Sequence, residues 1–186
     1  VYILPENSSS GESAMYEYDE TNGLTKIGVV CNEPLTDATI LTIKDKEYLL
    51  STKTPAQNGK ILTVYDFNSE KMGVAGINQV IVFDSCIARN AGEVFELNGQ
   101  YYRPAQDCNG GYGRGVIIQR LNLDKDGKFS FDYVNSFYPQ TFKYSQGLHT
   151  FNHYKEIGVI DVRGARNPIM AYTIRTLQRW LKFYNA

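Results

Sequence analysis

One pattern recurs along this chain and leaves few folds open to it. Segments reading "YILPEN" from Tyr2, "YLLSTK" from Tyr48, "YYRPAQD" from Tyr101 and "IGVIDV" from Ile157 occupy equivalent places. With Tyr2, Tyr48, Tyr102 and Ile157 in register the interval is about 50 residues, the period of arrays and propellers. That register sets Glu6, Thr52, Gln106 and Asp161 at one position, and all four are polar. Around each segment the grammar repeats: a strand, a short turn ("KDK", "NGQ", "YKE"), a second strand, a Gly-containing loop and a third strand. "TILTI-KDK-EYLLSTK" and "EVFEL-NGQ-YYRPAQ" alternate with period two, and the second carries an Asn-Gly hairpin signal. "SAMYEYD", "KILTVYDF" and "GVIIQRLNL" read as third strands, and "TKIGVV", "NQVIVF" and "KFSFDYV" as fourth strands. Four antiparallel strands per unit make a propeller blade, whose inner loops converge on one channel.

The expected fold is therefore all-β: residues 1–166 form part of a β-propeller, about three and a half blades, followed by a C-terminal α-helix over 167–186. Fourteen tyrosines and nine phenylalanines against one tryptophan suit strands. In "RNPIMAYTIRTLQRWLKFYNA", Asn167 can cap and Pro168 suits the first turn. Met170, Ile174, Leu177, Leu181 and Tyr184 then share one face, expected to dock on a sheet or join another module. Arg175, Arg179 and Lys182 read as a solvated outer face rather than a membrane-surface one.

A formal net charge of −1 gives no basic field for nucleic acid. No apolar run reaches the roughly 20 residues of a membrane span. Cys31, Cys86 and Cys108 show neither CxxC spacing nor an even count, so the expectation is idle thiols in a reducing, cytoplasmic setting, with no disulfide, metal or cofactor. The start at "VYILPEN", a strand without initiator Met, is expected to be a cut into a longer protein. The resulting open edge would offer a dimer or domain contact.

Polar residues gather in "YYRPAQDCNGGYGRGV" and "GLHTFN". Arg89 and Arg103 can clamp a carboxylate or phosphate with the planar guanidinium fork, or equally can hold loops through neighbouring acids. Gln106 and Asp107 offer acceptors to sugar hydroxyls, although Asp107 is also placed to cap the turn before Gly110 and Gly111. His149 has the chemistry of an acid or base near neutral pH and sits beside Thr150 and Asn152. Tyr102 and Tyr112 can stack on sugar faces, or belong to the core.

These segments, with Pro5-Glu6, "DAT" from Asp37 to Thr39, "RPAQD" from Arg103 to Asp107, Tyr112-Gly113 and "HTFN" from His149 to Asn152, resemble the five-bladed propeller domains related to glycoside hydrolase family 43. The closer similarity is to the branch found at the N-terminus of plant glucosamine inositolphosphorylceramide transferases and in bacterial proteins that accompany formyltransferase-like modules. The resemblance covers most of Val1 to Gly164 and implies a chain lacking the first blade. It implies a central pocket for a sugar or sugar-phosphate, with Asp37 matching the supporting carboxylate, Asp107 and His149 as further catalytic candidates, and Glu6, Arg89, Arg103, Gln106, Tyr112, Thr150 and Asn152 as ligand contacts. Arg89 stands where an acid of the hydrolases would be sought, with Glu93 the nearest carboxylate. The sequence thus favours a glycan-related propeller over a standard hydrolase. The alternative is a non-catalytic glycan-binding or scaffolding module attached to a glycosyltransferase or formyltransferase.

Overall fold

A computed structural model of the protein describes residues 1–6, 8–141 and 143–184. Among the described residues, thirteen strands fall into four antiparallel sheets that follow one another along the chain. The first holds β1 (Tyr2–Ile3), β2 (Ser13–Asp19) and β3 (Gly23–Cys31), in that order. The second is the meander β4 (Leu35–Ile43), β5 (Lys46–Lys53), β6 (Ile61–Asn68) and β7 (Gly73–Val82). The third repeats it with β8 (Phe95–Leu97), β9 (Gln100–Asp107), β10 (Gly115–Leu123) and β11 (Phe129–Phe137). The fourth is the hairpin β12 (Phe151–Tyr154) and β13 (Ile157–Ile160), and α1 (Pro168–Tyr184) follows.

Local chemistry sets the hairpins. Ile43 pairs with Lys46 and Leu97 with Gln100, leaving Lys44-Asp45 and Asn98-Gly99 as two-residue turns. All four central residues have positive φ, as a turn matching the right-handed strand twist requires. In the fourth sheet Tyr154 pairs with Ile157. Counted from the turn, Val159 rather than Ile157 therefore matches Tyr48 and Tyr102, and the repeat register slips at its last member.

Burial follows strand rank. β5, β6, β9 and β10 are largely buried, whereas β7 and β11 present many exposed side chains, so each complete sheet has a dry middle and a wet outer strand. Separate apolar clusters join each sheet to the next. Met15 and Val30 pack with Leu49, Tyr65 and Phe67 between the first two sheets. Tyr48, Leu50, Leu62 and Val64 meet Leu121 and Phe129 between the second and third, and Val116 and Ile118 meet Leu148, with Phe151 alongside, between the third and fourth. Each fully buried Leu or Val contributes about 1.5–3 kcal/mol. The Gln79 amide adds a polar strap, accepting from the Phe129 N–H at 2.7 Å and donating to its carbonyl at 3.0 Å.

The helix begins at Pro168, and the Asn167 carbonyl accepts from the Ala171 amide. Met170, Ile174 and Leu177 remain exposed, so these residues do not dock on the described sheets. The side chains of Arg175, Arg179, Leu181, Lys182 and Tyr184 lie outside what is described.

Candidate functional site

All four sheets send residues to one polar pocket of about 290 Å³. Glu6 arrives from the segment after β1. Asp37 comes from the bulge between Thr36 and Thr39 in β4, where its φ of 45° turns the chain out of the ladder. Asn90 to Glu93 lead into β8, Gln106 ends β9, Tyr112 stands on the glycine loop, and His149, Thr150 and Asn152 open the fourth sheet.

The floor is organised by Arg89, only 7% exposed. Its Nε donates to Asp37 Oδ2 at 2.7 Å, one terminal nitrogen to Asn58 Oδ1 at 2.9 Å and the other to Glu6 Oε2 at 3.1 Å. The guanidinium also lies 4.7 Å from the centre of the Tyr112 ring. Gln106 Nε2 donates to Asp37 Oδ2 and to the Asn90 carbonyl, both at 2.9 Å, while its amide oxygen has no partner among the described residues. Burial raises the Glu6 carboxyl above its ordinary value; Arg89 opposes this, and the adjacent Asp37 carboxylate reinforces it. Burial likewise raises the Tyr112 phenol, Arg89 again opposing and Asp37, Glu6 and Asp161 adding to it. In both groups burial leads, and Arg89 is the largest charge acting on them, with the acidic neighbours working against it.

Its far wall is an Asp–His pair. His149 Nδ1 meets the Asp161 carboxylate, whose Oδ1 also accepts the backbone N–H groups of His149 at 2.9 Å and Thr150 at 2.6 Å. The Tyr112 and His149 rings stand edge to face at 5.4 Å. Gly113 makes this approach possible: its φ is +64°, and a Cβ there would lie 2.9 Å from the His149 Cβ.

Of the residues marked in the sequence, Glu6, Asp37, Gln106, Tyr112, His149, Thr150 and Asn152 line the pocket, with Arg89 beneath them. Arg103 and Asp107 do not join them. Arg103 is fully buried between sheets, donating to Asn90 Oδ1 at 2.8 Å, to Gln119 Oε1 at 2.6 Å and to the Ala88 carbonyl, with the Phe83 and Phe131 rings 5.8 and 5.3 Å away. Burial pushes its pKa down to about 9, which still leaves a cation at neutral pH. Asp107 closes its own turn, accepting from the Asn109 amide and side chain at 2.9 and 2.8 Å and from the Tyr138 hydroxyl at 2.8 Å. Thr52 is wholly buried outside the lining, and Tyr102 stacks on Phe95.

The residue that sequence reading missed is Asn90. Its side chain donates to the carbonyls of Asp37 and Leu50 at 2.7 and 2.8 Å and accepts from Arg103, so it joins the pocket to the interior. The signal was present, since "TDAT" and "RNAG" place Asp37 and Asn90 at one position of the segments that open the second and third sheets. Among the described residues no group of three or more His, Cys, Asp or Glu side chains is placed to hold a metal ion, and no helix is long and apolar enough to cross a membrane.

Residues 1–162 match the family model described as glucosamine inositolphosphorylceramide transferase 1, N-terminal. Two rice proteins named glucosamine inositolphosphorylceramide transferase 1, from Oryza sativa subsp. japonica and subsp. indica, are each 27% identical over 128 residues, 65% of this chain. The match spans 17% of the length of each of these relatives. With all four sheets inside the matched region, this chain belongs to the family of glucosamine inositolphosphorylceramide transferase 1 N-terminal domains.

Proposed function

We propose that this domain is a non-catalytic sugar-binding module of a larger, glycosyltransferase-type protein, and that its sheets are blades of a propeller whose inner ends build the binding pocket. The observation that carries the reading is the way Arg89 is spent. Glu6 and Asp37 converge on one guanidinium, side by side, instead of facing one another across the gap of about 5–9.5 Å that glycoside hydrolysis needs. The arginine that would clamp a phosphate already serves two carboxylates and an amide. Gln106 and Asn90 spend their donors internally as well. Three carboxylates, those of Glu6, Asp37 and Glu93, line the pocket, with the Asn152 amide and the His149 and Tyr112 rings beside them. Such a lining favours a ligand rich in hydroxyl or ammonium donors over an anionic one. The rice relatives carry glucosamine in their name, and a glucosamine-type sugar is the ligand class we assign.

Titration of the domain with glucosamine, glucose and glucose 6-phosphate, followed by NMR shift perturbation, tests this. Glucosamine is expected to bind tightest and the phosphate weakest, with Asp37→Asn reducing glucosamine affinity about tenfold, the worth of one lost charge-assisted hydrogen bond. Preferential binding of the phosphate, or no perturbation by any of the three sugars, would remove the proposal.

A further inference from the structure

Two of the three cysteines come together in space. Cys86 lies at the start of the segment leading to Arg89, and Cys108 directly follows Asp107 at the mouth of the glycine loop. The Cys108 N–H donates to the Cys86 carbonyl at 2.9 Å, and the Cys86 N–H donates to Asn109 Oδ1 at 3.0 Å. Further in, the Gln106 N–H donates to the Arg89 carbonyl at 2.8 Å, so the two segments run as an antiparallel pair. The 2.9 Å bond from the Cys108 N–H to the Cys86 carbonyl, with ordinary covalent bonds on either side, holds the two Cα atoms within about 6.8 Å of each other. That is within reach of the Cα separation, up to roughly 6.8 Å, that a disulfide spans. Cys31 belongs to another neighbourhood, in the cluster of Met15, Val30 and Leu35 between the first two sheets. The odd cysteine count thus resolves into one adjacent pair and one remote thiol.

We propose that Cys86 and Cys108 are a disulfide-forming pair that clasps the Arg89 segment to the loop carrying Tyr112. The two thiols differ in access. Cys108 is buried, and burial raises its thiol above the ordinary value, with Cys86 adding to this. Cys86 is only half-buried and is the one an oxidant meets first. With a small-molecule disulfide as oxidant, the Cys86 thiolate attacks one of its sulfurs, forming a mixed disulfide and releasing the first thiolate. Cys108 then gives its proton to solvent and attacks the Cys86 sulfur, releasing the second thiolate. The cysteine pair loses two electrons and two protons, and the oxidant's S–S bond becomes two thiols. In a reducing compartment the pair stays open; in an oxidising one it closes. The link joins the two segments whose side chains meet where Arg89 lies against Tyr112, so oxidation state sets how firmly the pocket floor is held.

The test uses the whole chain, reduced and then incubated with oxidised glutathione, alkylated under denaturing conditions and mapped by peptide mass. The expected result is one cross-link between the Cys86 and Cys108 peptides, a mass loss of about 2 Da with no retained glutathione, and Cys31 alkylated. Cys108→Ala should stop at a glutathione adduct on Cys86. Cys86→Ser should show no cross-link, and circular dichroism of both variants checks their folding. A persistent glutathione adduct on Cys86 in the unmodified chain, a cross-link involving Cys31, or thiols that all remain alkylatable would each overturn the proposal.

Discussion

Arg89 and Arg103 show how position in the fold divides one side-chain chemistry into two roles. Arg89 balances two carboxylates at the edge of a pocket, whereas the described partners of Arg103 are neutral amides, carbonyls and aromatic faces. Such a buried guanidinium costs desolvation energy that only a full set of acceptors offsets. In sequence the two arginines offered the same readings, because whether a residue points to the pocket or between sheets depends on pairing that one strand does not reveal. The Glu6 carboxyl allows a test at this scale. Its folded pKa is raised above an ordinary value of 4.5, so the neutral form is the better fit. The stabilisation this brings is complete below that value and is lost as pH rises through the folded pKa. Glu6→Gln keeps the neutral form at every pH. Urea midpoints measured from pH 4 to pH 7 should therefore fall less in Glu6→Gln than in the parent, and parallel pH profiles would contradict the assignment.

Among the elements, the joint between β8 and the fourth sheet carries the tightest backbone approach. Gly92 adopts φ +152°, and a Cβ there would run into the Phe151 carbonyl and the Asn152 amide oxygen. The adjoining Ala91 carbonyl accepts the Phe151 N–H at 2.7 Å, and Thr39 Oγ1 donates to the Gly92 carbonyl at 3.2 Å. Gly92→Ala must displace β12, and with it His149 to Asn152. The expected cost is about 1–3 kcal/mol from the strained φ alone, read by thermal unfolding, together with loss of the NMR signature of the His149–Asp161 contact; an unchanged melting temperature would show that the joint yields freely. The hairpins were legible beforehand because two-residue turns with Asn-Gly chemistry announce themselves within a few residues. Glu6 and Gln106 were legible as polar residues at one repeated position, Asp37 through the family resemblance, and His149 through the polar segment it shares with Thr150 and Asn152. Gly92 was not, since its necessity comes from a strand of the next sheet, and Asp161 entered through a register that slips by two residues yet still reaches the pocket through His149. The exposed face of α1 shows the same limit: periodicity announced an amphipathic helix but not its neighbour.

At the scale of the molecule, each sheet is cemented to its successor by its own apolar cluster, and no described cluster spans all four. Stability in such an array approaches a sum of unit terms and nearest-neighbour interface terms. Leu121 on β10 is 1% exposed and packs into the cluster shared by the second and third sheets. Replacing it with Ala removes buried methyl groups at a cost of about 2–5 kcal/mol, depending on how far the site can collapse. Tyr48, Leu50 and Val64 surround the cavity from one sheet and Phe129 from the other, so both sheets lose support together. Among the described clusters, the first sheet contributes to that of Met15, Leu49 and Tyr65. Native-state hydrogen exchange on Leu121→Ala should accordingly show faster opening of amides in β5, β6, β9 and β10, with β2 and β3 changed least. If protection falls by the same factor in all four sheets, the chain opens as one global unit and the nearest-neighbour account fails.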